Sequence, residues 1–114
     1  MSVTNQAGLR RSSSIATTAL LGIGAVYTSS AIFVTGRKYF RGMVFADVAS
    51  AVNGFTIQQS TDGTNWDEVT SYGILASTNL TFSVAVVSRY LRVVYTNGGV
   101  GQGVFRLRGQ AFEN

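Results

Sequence analysis

Chemistry at neutral pH usually needs a side chain that can take up or release a proton, and this chain offers few. It has no His and no Cys. That removes the commonest general base, the commonest metal ligand, any thiolate and any disulfide. Serines are frequent, but no base is present to activate one, and neither a G-x-S-x-G elbow nor a phosphate-binding glycine loop occurs. The five acidic residues are Asp47, Asp62, Asp67, Glu68 and Glu113. Asp62, Asp67 and Glu68 lie in or beside one polar turn, where carboxylates and carbonyls offer the oxygen chemistry that Ca²⁺ takes. The ligand spacing of an established calcium loop is missing, however, and Asp62 reads better as a residue that stabilises the turn. We therefore expect no catalytic residue, no cofactor and no metal.

The cations point elsewhere. Net charge is +4, with a pI near 10.0, and eight of the nine basic residues are Arg. They fall along the chain as singles and pairs, whereas a nucleic-acid surface favours a denser patch with interleaved aromatics. Arg is the cation favoured in interfaces. Arg10, Arg11, Arg37, Lys38, Arg92, Arg106 and Arg108 are accordingly candidate contacts with an acidic protein partner, and neither nucleic acid nor membrane is expected as one. The charged fraction of 12% is about half of what soluble proteins carry. A small domain so poor in charge is expected to cover part of its surface with another chain, so a homo-oligomer is expected, a trimer first.

Whatever these residues do, strands must position them. With 114 residues, 46% of them apolar, the chain suits one domain with a real core. Its organising stretch is residues 55–69. Phe55, Thr56, Ile57 and Gln58 alternate with the period of a half-buried strand. Asp62-Gly63 is a hairpin signal, because Asp can bond nearby backbone groups and Gly allows a positive φ. Trp66, the single Trp, follows at once. It reads as a structural plug closing one end of the core, with ligand stacking as the alternative.

Taken in order, residues 1–21 form a polar, then apolar, flexible or extended N-terminal arm ahead of a domain at 22–114. Residues 15–26 are too short an apolar run to span a bilayer. Arg10-Arg11 ahead of that run resemble a secretory leader, but the preceding stretch is long for one and the run has no clear small-x-small exit. Residues 19–26 suit an edge strand or an arm lying on a neighbour. Strands are expected at 26–28, 31–34, 39–45, 55–59, 66–72, 81–87, 89–96 and 104–108, with 39–45 central and packed on both faces. Residues 46–53 and 73–79 read as connections. Alternation sends Phe82, Val84 and Val86 inward, then Leu91, Val93 and Tyr95, then Phe105 and Leu107. About eight strands at close spacing, with no sustained helical period, predict an all-β single β-sandwich or jelly roll. No Pro guards its edges, which leaves charges, glycines or partner subunits to do so.

Two resemblances attach to these motifs. S-T-D-G-T-N-W at 60–66 and Arg89-Tyr90-Leu91-Arg92-Val93 resemble the S-x-D-G-x-x-W turn and R-Y-[LIV]-R-[LIV] strand of discoidin-like β-sandwich domains. That family implies glycan or lipid binding. This chain is shorter, has no cysteine pair and shows none of the apolar or aromatic loop spikes the family uses. Over a longer stretch, Val26-Tyr27-Thr28, residues 57–67, residues 89–98 and Phe105-Arg106-Leu107 resemble small structural proteins of tailed phages. This second resemblance implies a virion component assembled in the host cytoplasm. It would be a non-enzymatic decoration or cement protein bound to the major capsid protein or another virion protein. The alternative is a carbohydrate-binding or tail-associated adhesion module, with Trp66 or Tyr72 stacking on sugar.

Overall fold

A computed structural model describes residues 14–113. Nine strands form among these residues: β1 (Ser14–Thr17), β2 (Val26–Thr28), β3 (Ile32–Phe33), β4 (Tyr39–Ala46), β5 (Ser50–Ser60), β6 (Glu68–Tyr72), β7 (Leu80–Ala85), β8 (Tyr90–Asn97) and β9 (Phe105–Phe112). They make two antiparallel sheets, one in the order β1-β9-β4-β7 and the other β2-β8-β5-β6 with β3 also on β8. The pairing is that of a long hairpin folded over on itself. β1 pairs with β9, β2 and β3 with β8, β4 with β7, and β5 with β6. Wrapping then lays β9 beside β4 and β8 beside β5. With β2 and β3 counted as one interrupted strand, this is an eight-stranded jelly roll.

The interruption has a local cause. At Ser29 the chain leaves the ladder, but Ser29 still pairs with Val93: its N–H donates to the Val93 carbonyl at 3.0 Å, and its Oγ accepts from the Val93 N–H at 2.9 Å. The polar side chain thus replaces a ladder bond, and the backbone stays satisfied through the break.

Alternation builds the core as expected. Phe55 and Ile57 on β5, Leu91, Val93 and Tyr95 on β8, Phe40 and Val44 on β4, and Phe105 and Leu107 on β9 are all buried between the sheets. Phe82 bridges them, with ring centroids 5.7 Å from Phe40 and 5.3 Å from Phe55. Val84 and Val86 pack partly buried against the same cluster. Gly42 and Gly109 face each other across β4 and β9. A Cβ on Gly109 would run into the Phe40 ring, and one on Gly42 into the Arg108 carbonyl. Glycine here lets a large aromatic lie flat against the sheet.

Four expectations change. Part of the expected arm is built in: β1 pairs with β9, and Ile15 is 5% exposed within the core. An apolar residue alternating with Ser14 and Ala16 has a strand's pattern that the serine run before it disguises. Residues 46–53 are not simply a connection, since β4 reaches Ala46 and β5 starts at Ser50. The register between Ser50 and Phe55 is irregular, with Asn53 at φ 51°. β4 is central but buries one face. Phe40, Val44 and Ala46 point in, while Tyr39, Arg41, Met43 and Phe45 form an outer row that is partly or largely exposed. The fourth change concerns Trp66.

Candidate interaction surfaces

The turn at 60–65 is a closed hydrogen-bond unit. The Ser60 Oγ accepts from the Gly63 and Asp62 N–H groups at 2.8 and 3.2 Å and donates to Asp62 Oδ1 at 2.9 Å. Asp62 Oδ1 accepts from the Thr64 and Asn65 N–H groups, and Oδ2 from the Asn65 amide, each at 2.8 Å. Gly63 takes φ 80°, which explains why glycine stands there. Those donors, the Asn65 and Thr64 N–H groups first, hold the Asp62 carboxyl far below the usual carboxylate range. Both oxygens of Asp62 are thus used inside the turn.

Trp66 does not plug the core. It is half-buried and lies outside the buried cluster. Its ring meets the Arg92 guanidinium 4.3 Å from the centroid, while the Arg92 Nε donates to Gln58 Oε1 at 2.7 Å. Gln58 and Arg92 are register partners on the outer face of the second sheet. The polar turn throws the ring over that face, where a cation takes it. The core position beside the turn belongs instead to Gln59, which is 2% exposed. Its amide nitrogen donates to the Ala85 carbonyl at 2.9 Å, and its Oε1 accepts from the Val87 N–H at 2.9 Å and the Ser88 hydroxyl at 3.2 Å. One buried polar side chain, hydrogen-bonded through both its nitrogen and its oxygen, ties β5 to the β7–β8 connection, a role that period-two reading alone does not reveal.

The candidate cations separate. Arg10 and Arg11 lie outside the described residues. Arg37 pairs with Glu113 at 3.6 Å, the one ion pair among the described residues. Lys38 is exposed at the start of β4, and Arg92 is held on Trp66. Arg106 and Arg108 come together on the outer face of the first sheet, opposite Phe45 and Met43 respectively. Arg41, which sequence reading did not single out, joins them. Its guanidinium lies 4.5 Å from the Tyr39 ring centroid and 5.7 Å from that of Phe112, and its Nε donates to the Ser83 Oγ at 3.2 Å. Arg106 covers Phe45 at 4.7 Å. The signal lay in the double apolar character of 39–45, where the outward row Tyr39, Met43 and Phe45 faces the outward arginines of β9. A cleft of about 390 Å³ opens between this row and the end of β1, flanked by Arg106, Arg108 and Asn79.

Asp47 follows Phe45 in the outward row, and its carboxylate is committed. It accepts from the Gly103 N–H at 3.0 and 3.1 Å and from the Val104 N–H at 3.1 Å. These bonds, Val104's first, hold its pKa below the ordinary value.

Among the described residues, the loops near this end contain no further charge. Leu20, Ile23, Val52 and Val100 are exposed there, Ile23 by 74% and Val52 by 92%. Exposed apolar residues are therefore present at this end, contrary to the expectation that the loops have none. Beneath them Asn97 is buried, and its amide donates to the carbonyls of Leu21, Gly22 and Val100 at 3.1, 2.9 and 2.8 Å. The Tyr95 hydroxyl is buried with no hydrogen bond of normal geometry. Burial pushes its pKa up to about 12, with the nearby Gln102 side chain pulling slightly the other way.

Fold and surface together define an all-β jelly-roll domain whose candidate sites are faces rather than a nest of titratable groups. The chain belongs to the family described as Uncharacterised protein YqxG N-terminal domain, whose model matches residues 3–112. No curated protein matches it. Among solved structures it is similar to the PBSX exported protein XepA, with TM-score 0.77 and 22% identity over 99% of this chain. The chain spans 40% of that protein's length. It is also similar to a structure described under the words "Bacillus endospore appendages form a novel family of disulfide-linked pili", with TM-score 0.52 and 13% identity over 89% of this chain and 86% of that one. At these identities the likeness shows the shared fold.

Proposed function

We propose that this domain is a non-enzymatic structural component of a phage or phage-like particle, in its favoured form a capsid decoration or cement protein that works by contact with other particle proteins. The observation that carries this reading is the outer face of the first sheet, where Tyr39, Met43 and Phe112 stay 37%, 47% and 37% exposed beside Arg41, Arg106 and Arg108. Exposed aromatics, Met and Arg with few carboxylates have the composition of an interface core rather than of a solvated surface. The motif resemblance to tailed-phage structural proteins supports the same reading. The pili in the second solved relative's description are a further case of this fold in an assembly. The disulfide linkage named there has no counterpart in a chain without Cys. Glycan stacking on Trp66 is the weaker reading, because Arg92 already lies against that ring.

The test is fractionation. Particles banded on a density gradient should carry the chain in fixed ratio to their major capsid protein, measured by mass spectrometry. Recovery solely in the particle-free fraction would refute the proposal.

A further inference from the structure

The outward cleft on the first sheet has a chemistry narrower than a general interface. Arg106 and Arg108 project from alternate positions of β9, opposite Phe45 and Met43 of β4. No described carboxylate lies within ion-pair distance of either guanidinium. Asp47, the acidic residue nearest in the outward row, is occupied by the Gly103 and Val104 N–H groups. Glu113, at the far end of β9, pairs with Arg37. The cleft therefore presents cations to which no described residue supplies a counter-charge. Its volume of about 390 Å³ lies within the size range of specific binding clefts.

We infer that this cleft receives an acidic segment of a partner protein, one carboxylate side chain engaging Arg106 and Arg108 while an adjacent apolar side chain rests on Met43. Guanidinium and carboxylate match in planar, two-bond geometry, and Arg sheds its water more readily than Lys does. The Asn79 amide at the rim adds a neutral donor and acceptor for the segment's backbone. Nucleic acid fits less well. Arg106 already covers the Phe45 ring at 4.7 Å, so that face is not open to a base, and stacking is what single-strand binding needs. Among the described residues, Arg92 lies on the opposite sheet and Arg41 stands against the Tyr39 ring, so neither extends the Arg106–Arg108 pair into a longer basic stripe.

This inference rests on the protein-contact reading above but is tested without any particle. The probe is a capped heptapeptide carrying two Leu-Glu repeats, titrated into the ¹⁵N-labelled chain and followed by amide shifts. Shifts should cluster at residues 16–18, 43–45 and 106–108. Affinity should fall at least ten-fold for the Leu-Gln counterpart, and equally for R106Q/R108Q. Both arginines are exposed, and R108Q alone serves if the double variant does not fold. Equal affinity for the Gln peptide, no loss in the variants, shifts centred on Trp66, or tighter binding of a short DNA duplex at the same residues would each overturn it. A failed titration with the chain still banding on particles sinks the cleft alone. A successful one with the chain absent from particles sinks the particle reading alone.

Discussion

Asp62 and Asp47 show how exposed carboxylates become structural. Both are held ionised by backbone N–H groups, so each favours the folded state above the ordinary carboxylate range and stops doing so as pH falls through it. Thermal melts should therefore drop below about pH 4, and Asp62→Asn should flatten that drop. An unchanged acid profile in the variant would show that the turn does not depend on the charge. Tyr95 works in the opposite direction. Its raised pKa means stability present below about pH 10 and lost as pH rises from there toward about 12. Tyr95→Phe should remove that alkaline loss. At pH 7 it should leave stability unchanged or raise it by up to about 1 kcal/mol, since the buried hydroxyl makes no hydrogen bond of normal geometry. A clear destabilisation at pH 7 in urea unfolding would reveal a hydrogen bond at that hydroxyl. For Trp66→Ala the cost should be about 1–2 kcal/mol, the scale of a partly buried ring with one cation on it. A core aromatic such as Phe55 should cost about 3–5 kcal/mol when cut to Ala. Equal losses in the two variants would restore Trp66 to the core.

Among the elements, the short β1 is the most telling. It contributes Ile15 to the core and a full register with β9, so Ile15→Ala should destabilise by about 2–4 kcal/mol in denaturant unfolding. A cost within about 0.5 kcal/mol, the range of surface changes, would mean that β1 only drapes over the sheet. β7, β8 and β9 are easily read, because a mainly apolar inner row alternates with an outer row that includes Thr81 and Ser83, Arg92 and Thr96, and Arg106, Arg108 and Gln110. The β5–β6 hairpin was equally plain, because Asp62-Gly63 forces its own geometry. β1 was hidden because four residues offer too few alternations to stand out from Ser and Thr. The start of β5 was hidden because its irregular register carries Val52 outward and places Asn53 in a conformation strands rarely use. The outer face of β4 was half legible. Its doubled apolar character was visible, but burial on both sides was the wrong explanation. The face is open in the single chain, and that openness is why it can serve as a site.

On the scale of the whole molecule, charge is placed unevenly. Arg41, Arg106 and Arg108 share the outer face of one sheet, while Asp62, Asp67 and Glu68 lie at the β5–β6 end of the other. Pairing the first strand with the last and nesting each pair within the next makes the fold depend on contacts distant in sequence. The same nesting brings Met43 beside Arg108 and Phe45 beside Arg106. The low overall charge leads us to propose a homo-oligomer, trimeric in its favoured form and assembled away from this outer row, with light scattering as its check.

The most direct measurement is oxidative footprinting of the chain on purified particles against the free chain, because Met and aromatic side chains report their own exposure. Met43, Tyr39 and Phe112 should lose reactivity on the particle while Trp66 keeps its own. Met43 reacting equally in both states, with protection moved to the Trp66 face, would contradict it.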